Sequence, residues 1–151
     1  TISVDDVPLW ELGSPYSGIT VVRQEAALFR DTLRNNLTMY QPIPDSRLFE
    51  TLRGLGLERY ASPNALDGLV EEGGANFSGG EKKRLCLARA LLRDTGVLIL
   101  DEPLANLDGE TVQRIEDMLL GIADRTLLVV SHQFSNEKLG QFDQVVDFAA
   151  L

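Results

Sequence analysis

The 151-residue chain is 44% hydrophobic, 25% charged and 7% aromatic, which fits one globular domain with a real core. Its formal net charge of −9 argues against a protein that chiefly grips nucleic acid, since that affinity comes from clustered Lys and Arg, but leaves room for a small local anion site. A single cysteine, Cys86, excludes an internal disulfide, and no apolar run approaches the length that spans a bilayer.

Taken in chain order, residues 2–10 read as a short strand or hairpin arm turning at Asp5-Asp6, and residues 13–18 as loop. The β-branched run 19–23, ending at Gln24, predicts a strand. From Asp31 to about Met39 the four-residue spacing of Leu33 and Leu37 predicts a helix, which Pro42 and Pro44 interrupt. Asp45 or Ser46 then caps a helix carrying Leu48, Leu52 and Leu55, ended by Gly54 and Gly56. Residues 57–77 are mixed, with turns at Gly68, Gly73 and Gly74.

The second half is more regular. Residues 78–93 predict a helix with Leu85, Ala88, Leu91 and Leu92 on one side. Four consecutive apolar residues, 97–100, predict a strand buried on both faces of a parallel sheet, stopped by Pro103. Asp108 caps a helix carrying Val112, Ile115, Leu119 and Ile122. Residues 127–130 predict another buried strand and 145–148 a last short one. Strands alternating with helices predict an α/β layered fold in which the helical stretch 26–92 is a subdomain inserted between strands.

Four local patterns carry chemistry, three of them with a plainer structural alternative. In Asn76-Phe77-Ser78-Gly79-Gly80-Glu81, Ser78 and Glu81 form a capping box, and two glycines leave the first-turn N–H groups uncovered. The segment is either a well-capped helix or a helix N-terminus open to an anion. Asp101 and Glu102 follow the apolar strand, where α/β folds place ligands. Asp101 either caps the turn before Pro103 or holds Mg²⁺, and Glu102 is placed to orient or deprotonate a water. His132, the only histidine, follows the strand 127–130 and is either structural or a phosphate contact. Gln24 ends the strand 19–23, a place from which an amide would reach a metal-bound water if a cation sat at the sheet edge.

In their order, these elements resemble the ATPase domain of ABC transporters. Gln24 resembles that family's Q-loop glutamine, Phe77-Ser78-Gly79-Gly80-Glu81 its signature sequence, and residues 97–102 its Walker B strand with Glu102 as base. Ala105-Asn106-Leu107-Asp108 is similar to the D-loop, and Ser131-His132 to the switch histidine. Residues 28–37 and Glu72-Gly73-Gly74 resemble the exporter branch. Glu81 stands where many members have Gln, and Asn106 where they have a small residue.

The resemblance implies a P-loop NTPase (RecA-like) parallel-sheet core, incomplete on its N-terminal side, with an inserted helical subdomain. It divides the chain into a core segment 1–25, a helical subdomain 26–92 and a core segment 93–151. It implies Glu102 and His132 as catalytic residues and Gln24, Ser78, Gly79, Gly80, Glu81 and Asp108 as nucleotide contacts. Asp101 and Gln24 would hold Mg²⁺ through water, with ATP as the nucleotide. The implied partners are a second ABC ATPase domain, head to tail, and a transmembrane domain at the cytoplasmic face of the membrane, with no nucleic acid. A soluble ABC-type ATPase of DNA repair or translation, and a non-catalytic binding fragment, are the competing readings.

One element of the resemblance is missing. The sequence has no G-x-x-x-x-G-K-[ST] run; residues 68–75 have the glycine spacing but neither the Lys nor the hydroxyl. The phosphate loop, its helix and the adenine-stacking segment are therefore expected upstream of Thr1, since Trp10 and Tyr16 come too late in the family order. The strand 97–100 is accordingly expected to lack a neighbour, leaving unpaired backbone and bare apolar faces.

Overall fold

The computed structural model describes residues 3–4, 7–8, 17–25 and 27–147. Ser3–Val4 (β1) and Val7–Pro8 (β2) pair antiparallel as the expected hairpin arm, whose turn at Asp5-Asp6 lies outside the described residues. Trp10 and residues 11–16 lie outside them too. Ile19–Val22 (β3) forms as expected.

The segment 31–39 is only partly helical. Asp31–Thr32 (β4) is extended, and the helix Leu33–Thr38 (α1) starts after it, with the Thr32 hydroxyl accepting from the Asn35 N–H. The next helix, Asp45–Gly54 (α2), has Pro44 at its cap position with no side-chain cap bond. Asp45 does not cap it because its carboxylate accepts from Arg34. Gly56 at φ +67 turns the chain after α2, a left-handed conformation that costs glycine nothing. A 3-10 turn at Glu58–Tyr60 leads to Pro63–Leu66 (α3), capped by Ser62. Leu69–Val70 (β5) then pairs with β4, so the region 26–92 holds a small antiparallel sheet as well as helices.

A second 3-10 turn, Glu72–Gly74, precedes the helix Gly79–Leu91 (α4). Val97–Asp101 (β6), Gly109–Leu120 (α5), Thr126–Val130 (β7) and Asn136–Leu139 (α6) complete the described elements. The expected strand at 145–148 is absent through Val146 and Asp147; Phe148 lies outside the described residues.

The main sheet is parallel with order β3-β6-β7. This corrects the expectation for residues 97–100, because β6 is the central strand and both of its edges are occupied. The free edges among the described residues belong to β3 and β7. The register sorts the side chains into two faces by the period-2 pleat. Thr20, Leu98 and Leu127 form one row and Val22, Leu100 and Val129 the next, and these point into the core. The opposite row, Val21, Ile99 and Leu128, is open, with Val21 54% and Leu128 51% exposed. The strand 97–100 is thus covered on one face.

Leucine dominates the core. Leu33 and Leu37 of α1, Leu48 and Leu52 of α2, Leu85 and Leu87 of α4, and Leu98 and Leu100 of β6 are 2% exposed or less. Cys86 is buried among them. An apolar row on a sheet with free edges favours association. At raised concentration the chain is expected to sediment above monomer mass. A sharp thermal transition of a monomer, unchanged by concentration, would count against that.

Candidate functional site

Because β3, β6 and β7 are parallel and in register, their carboxyl ends lie side by side. Gln24 follows β3, Glu102 follows β6 and His132 follows β7. Glu102 is anchored by its own N–H, which donates to Val130 O at 2.8 Å. Its backbone is left-handed at φ +49, which costs a side-chain-bearing residue about 1–2 kcal/mol. Strain of this kind persists where surrounding structure over-determines it.

That conformation brings Glu102 to His132, thirty positions away. His132 Nδ1 lies 2.8 Å from Glu102 Oε1. A carboxylate oxygen accepts, so Nδ1 carries the hydrogen of this bond. His132 is exposed, whereas Glu102 is mostly covered. The second oxygen, Glu102 Oε2, is buried without a hydrogen-bond partner. An orphaned buried acceptor of this kind costs about 1–3 kcal/mol, and it marks where a donor from a ligand or water would fit.

Lys83 is a member of this neighbourhood that motif reading missed. It is buried on α4 and donates to Ala105 O at 3.2 Å, tying the helix to the loop after β6. Burial pulls its ammonium below the ordinary lysine range, while the charges of Glu102 and Asp101 oppose that shift. A signal was present, since Lys83, Leu87 and Ala90 share one helical stripe and all are buried. Beside it a cleft of about 380 Å³ is lined by Gln24, Gly79, Gly80, Lys82, Lys83, Ala105 and Asn106. Asn106 takes φ +64, a conformation that Asn tolerates better than the small Ala or Ser.

The start of α4 is capped reciprocally. Ser78 Oγ accepts from the Glu81 N–H at 3.3 Å, and Glu81 Oε2 accepts from the Ser78 N–H at 2.9 Å. Gly79 has nothing within 4 Å of where a Cβ would stand, so the first turn is open. Burial raises the Glu81 pKa, but bonds from Ser78 and Tyr60 and the charge of Arg59 outweigh it, and the net position is below the ordinary 4.5. A depressed folded-state pKa contributes stability above the unfolded value, lost as pH falls through the folded one. Helix α4 is therefore expected to loosen below about pH 4.5, and Glu81→Gln should abolish that part of the acid transition, read by circular dichroism.

The remaining expected residues are placed as follows. Asp108 caps α5, with its carboxylate oxygens accepting from Thr111 N at 3.0 Å and Thr111 Oγ1 at 2.8 Å. Asp101 ends β6, half-buried, one residue before Glu102. Gln24 is exposed at the mouth of the cleft. Among the described residues no group of three His, Cys, Asp or Glu side chains is arranged to hold a metal. Mg²⁺ commonly uses only one or two carboxylates, with phosphate oxygens and waters completing its shell. Asp101, half-buried at the end of β6, fits that mode as the single carboxylate, with the exposed Gln24 amide at the same edge.

The family model described as ABC transporter matches residues 1–105. The chain is 40% identical, over 85% of its length, to the glutathione/L-cysteine transport system ATP-binding/permease protein CydC of Escherichia coli, covering 22% of that protein. It is 36% identical, over 97% of its length, to the ATP-dependent lipid A-core flippase of Mannheimia succiniciproducens, covering 25% of it. A solved bacterial Atm1-family ABC exporter with ATP bound matches with a TM-score of 0.68 at 27% identity, over 78% of this chain and 21% of that one. The chain spans a quarter or less of the length of these relatives. No helix among the described residues is long and apolar enough to cross a membrane.

Proposed function

Since the chain belongs to the ABC transporter family, we propose that it is part of the ATP-hydrolysing domain of an exporter-type membrane transporter, acting on ATP with Mg²⁺ at the cytoplasmic face. The observation that carries this reading is the Glu102–His132 pair at the carboxyl edge of the sheet, with Glu102 Oε2 buried and unpartnered.

In this reading two such domains meet head to tail. Ser78, Gly79 and Gly80 present the open first turn of α4 to the γ-phosphate of a nucleotide held by the partner domain. Glu102 accepts a proton from the attacking water, while His132 holds the carboxylate in place. In this reading the His132 ring contacts a phosphate oxygen and Gln24 a metal-bound water, and Asp101 supplies the carboxylate for the cation. Bound Mg²⁺ would neutralise charge developing on the phosphate oxygens. The loop that wraps the phosphates is not in this sequence and is assigned to a segment outside the chain. The free edge of β7 suits a further parallel strand, and the open Val21–Ile99–Leu128 row suits a covering helix. A transmembrane domain would select the transported substrate.

Calorimetry with Mg-ATP, with phosphate release followed in the same sample, tests this. The chain alone is expected to show neither saturable binding nor release, and the full-length transporter both. Turnover by the chain alone would overturn the assignment of the phosphate loop to another segment. A full-length protein without turnover would overturn the ATPase reading itself.

A further inference from the structure

Glu81 places a carboxylate in the first turn of α4, where the reading above brings a triphosphate. An exposed negative charge there would oppose the incoming phosphate. The structure gathers donors on it from outside the helix. Tyr60 Oη donates to Glu81 Oε1 at 3.0 Å, and the Arg59 guanidinium forms an ion pair with the same oxygen. The Ser78 N–H and hydroxyl hold the other oxygen at 2.9 and 2.8 Å. Arg59 and Tyr60 also hold each other. The guanidinium lies 4.6 Å from the Tyr60 ring centroid and donates to its hydroxyl oxygen, and the Tyr60 ring packs 5.3 Å from Phe77. With both of its oxygens engaged, the Glu81 side chain is only 13% exposed.

We infer that Arg59 and Tyr60 are positioning residues that neutralise Glu81, so that the bare N–H groups at the start of α4 remain attractive to a nucleotide phosphate. The inference rests on the reading of α4 as phosphate-facing. It explains how an acidic residue is accommodated at this turn: its charge is compensated by a pair of side chains about twenty positions upstream. A purely structural clamp would matter whatever stood at position 81. A charge-compensating one matters only while position 81 is acidic.

The test uses the full-length transporter, spin-labelled on its two ATPase domains, with closure followed by electron–electron distance measurement against Mg-AMPPNP. Arg59→Ala and Tyr60→Phe are each expected to raise the concentration for half-closure about fivefold. Adding Glu81→Gln to either variant is expected to abolish the shift. Arg59 is exposed, so its truncation should leave folding intact. An equal shift in the Glu81→Gln background, or none with Glu81 present, would overturn the inference. Failure of the unaltered transporter to close with nucleotide would instead overturn the site reading beneath it.

Discussion

Glu102→Gln in the full-length transporter is expected to lower Mg-ATP turnover about 10²–10⁴-fold, the weight of a general base, equivalent to about 3–5 kcal/mol of barrier. The substitution is nearly isosteric. An amide oxygen still accepts from His132 Nδ1, now 2.8 Å from Glu102 Oε1, so the local geometry should survive. What is lost is the capacity of the carboxylate to take a proton. Nucleotide affinity should therefore change far less than turnover, and a phosphate-release assay beside a binding titration separates the two. A loss under twofold would sink the assignment. His132→Ala should cost less, because it loosens the carboxylate without removing it.

The largest stability effect is expected at Asn36, which is completely buried. Its amide donates to Phe29 O at 2.9 Å and Thr32 O at 3.1 Å. Its carbonyl oxygen accepts from Phe29 N and from Arg89 Nη2, both at 3.1 Å. All four capacities of the amide are used. Arg89, on α4, also donates to Asn36 O at 2.6 Å and Ala27 O at 3.0 Å, and its guanidinium lies 5.5 Å from the Phe29 ring centroid. Burial pulls that guanidinium below its ordinary range. Asn36→Leu keeps the branched shape, is somewhat larger, and strands several buried groups at once, each costing about 1–3 kcal/mol. A total loss of about 3–5 kcal/mol is expected from denaturant unfolding, a large share of a typical domain's stability. A loss below about 1 kcal/mol would show that these groups find other partners. The segment so held follows Gln24, so activity in the full-length protein should fall with stability.

Much of the candidate site was legible because its signals are local. Ser78 and Glu81 are three residues apart, and a capping box needs nothing beyond its own first turn. Asp108 and Thr111 repeat that logic at α5. The apolar run ending in Asp101-Glu102 announces a buried strand with a polar end. Asp31 and Asp45 were misread for the opposite reason. Their neighbours permit a helix start or a cap, but β5 captures Asp31 and Arg34 captures Asp45, and both partners lie beyond a local window.

From the order of residues alone came the α/β alternation, the caps of α4 and α5, and a set of chemical side chains at strand ends. These depend on contacts within one or two turns, whose geometry residue type and spacing specify. Packing decided the rest. It made β6 the central strand rather than an exposed one, left the Val21–Ile99–Leu128 row open, and turned Glu102 through a left-handed backbone onto His132. It also joined Asn36 to Arg89 and Tyr60 to Glu81, across 53 and 21 positions. Such pairs carry no signature in spacing, because chain closure over those lengths is set by how helices dock on a leucine core and a sheet, and not by the residues between them.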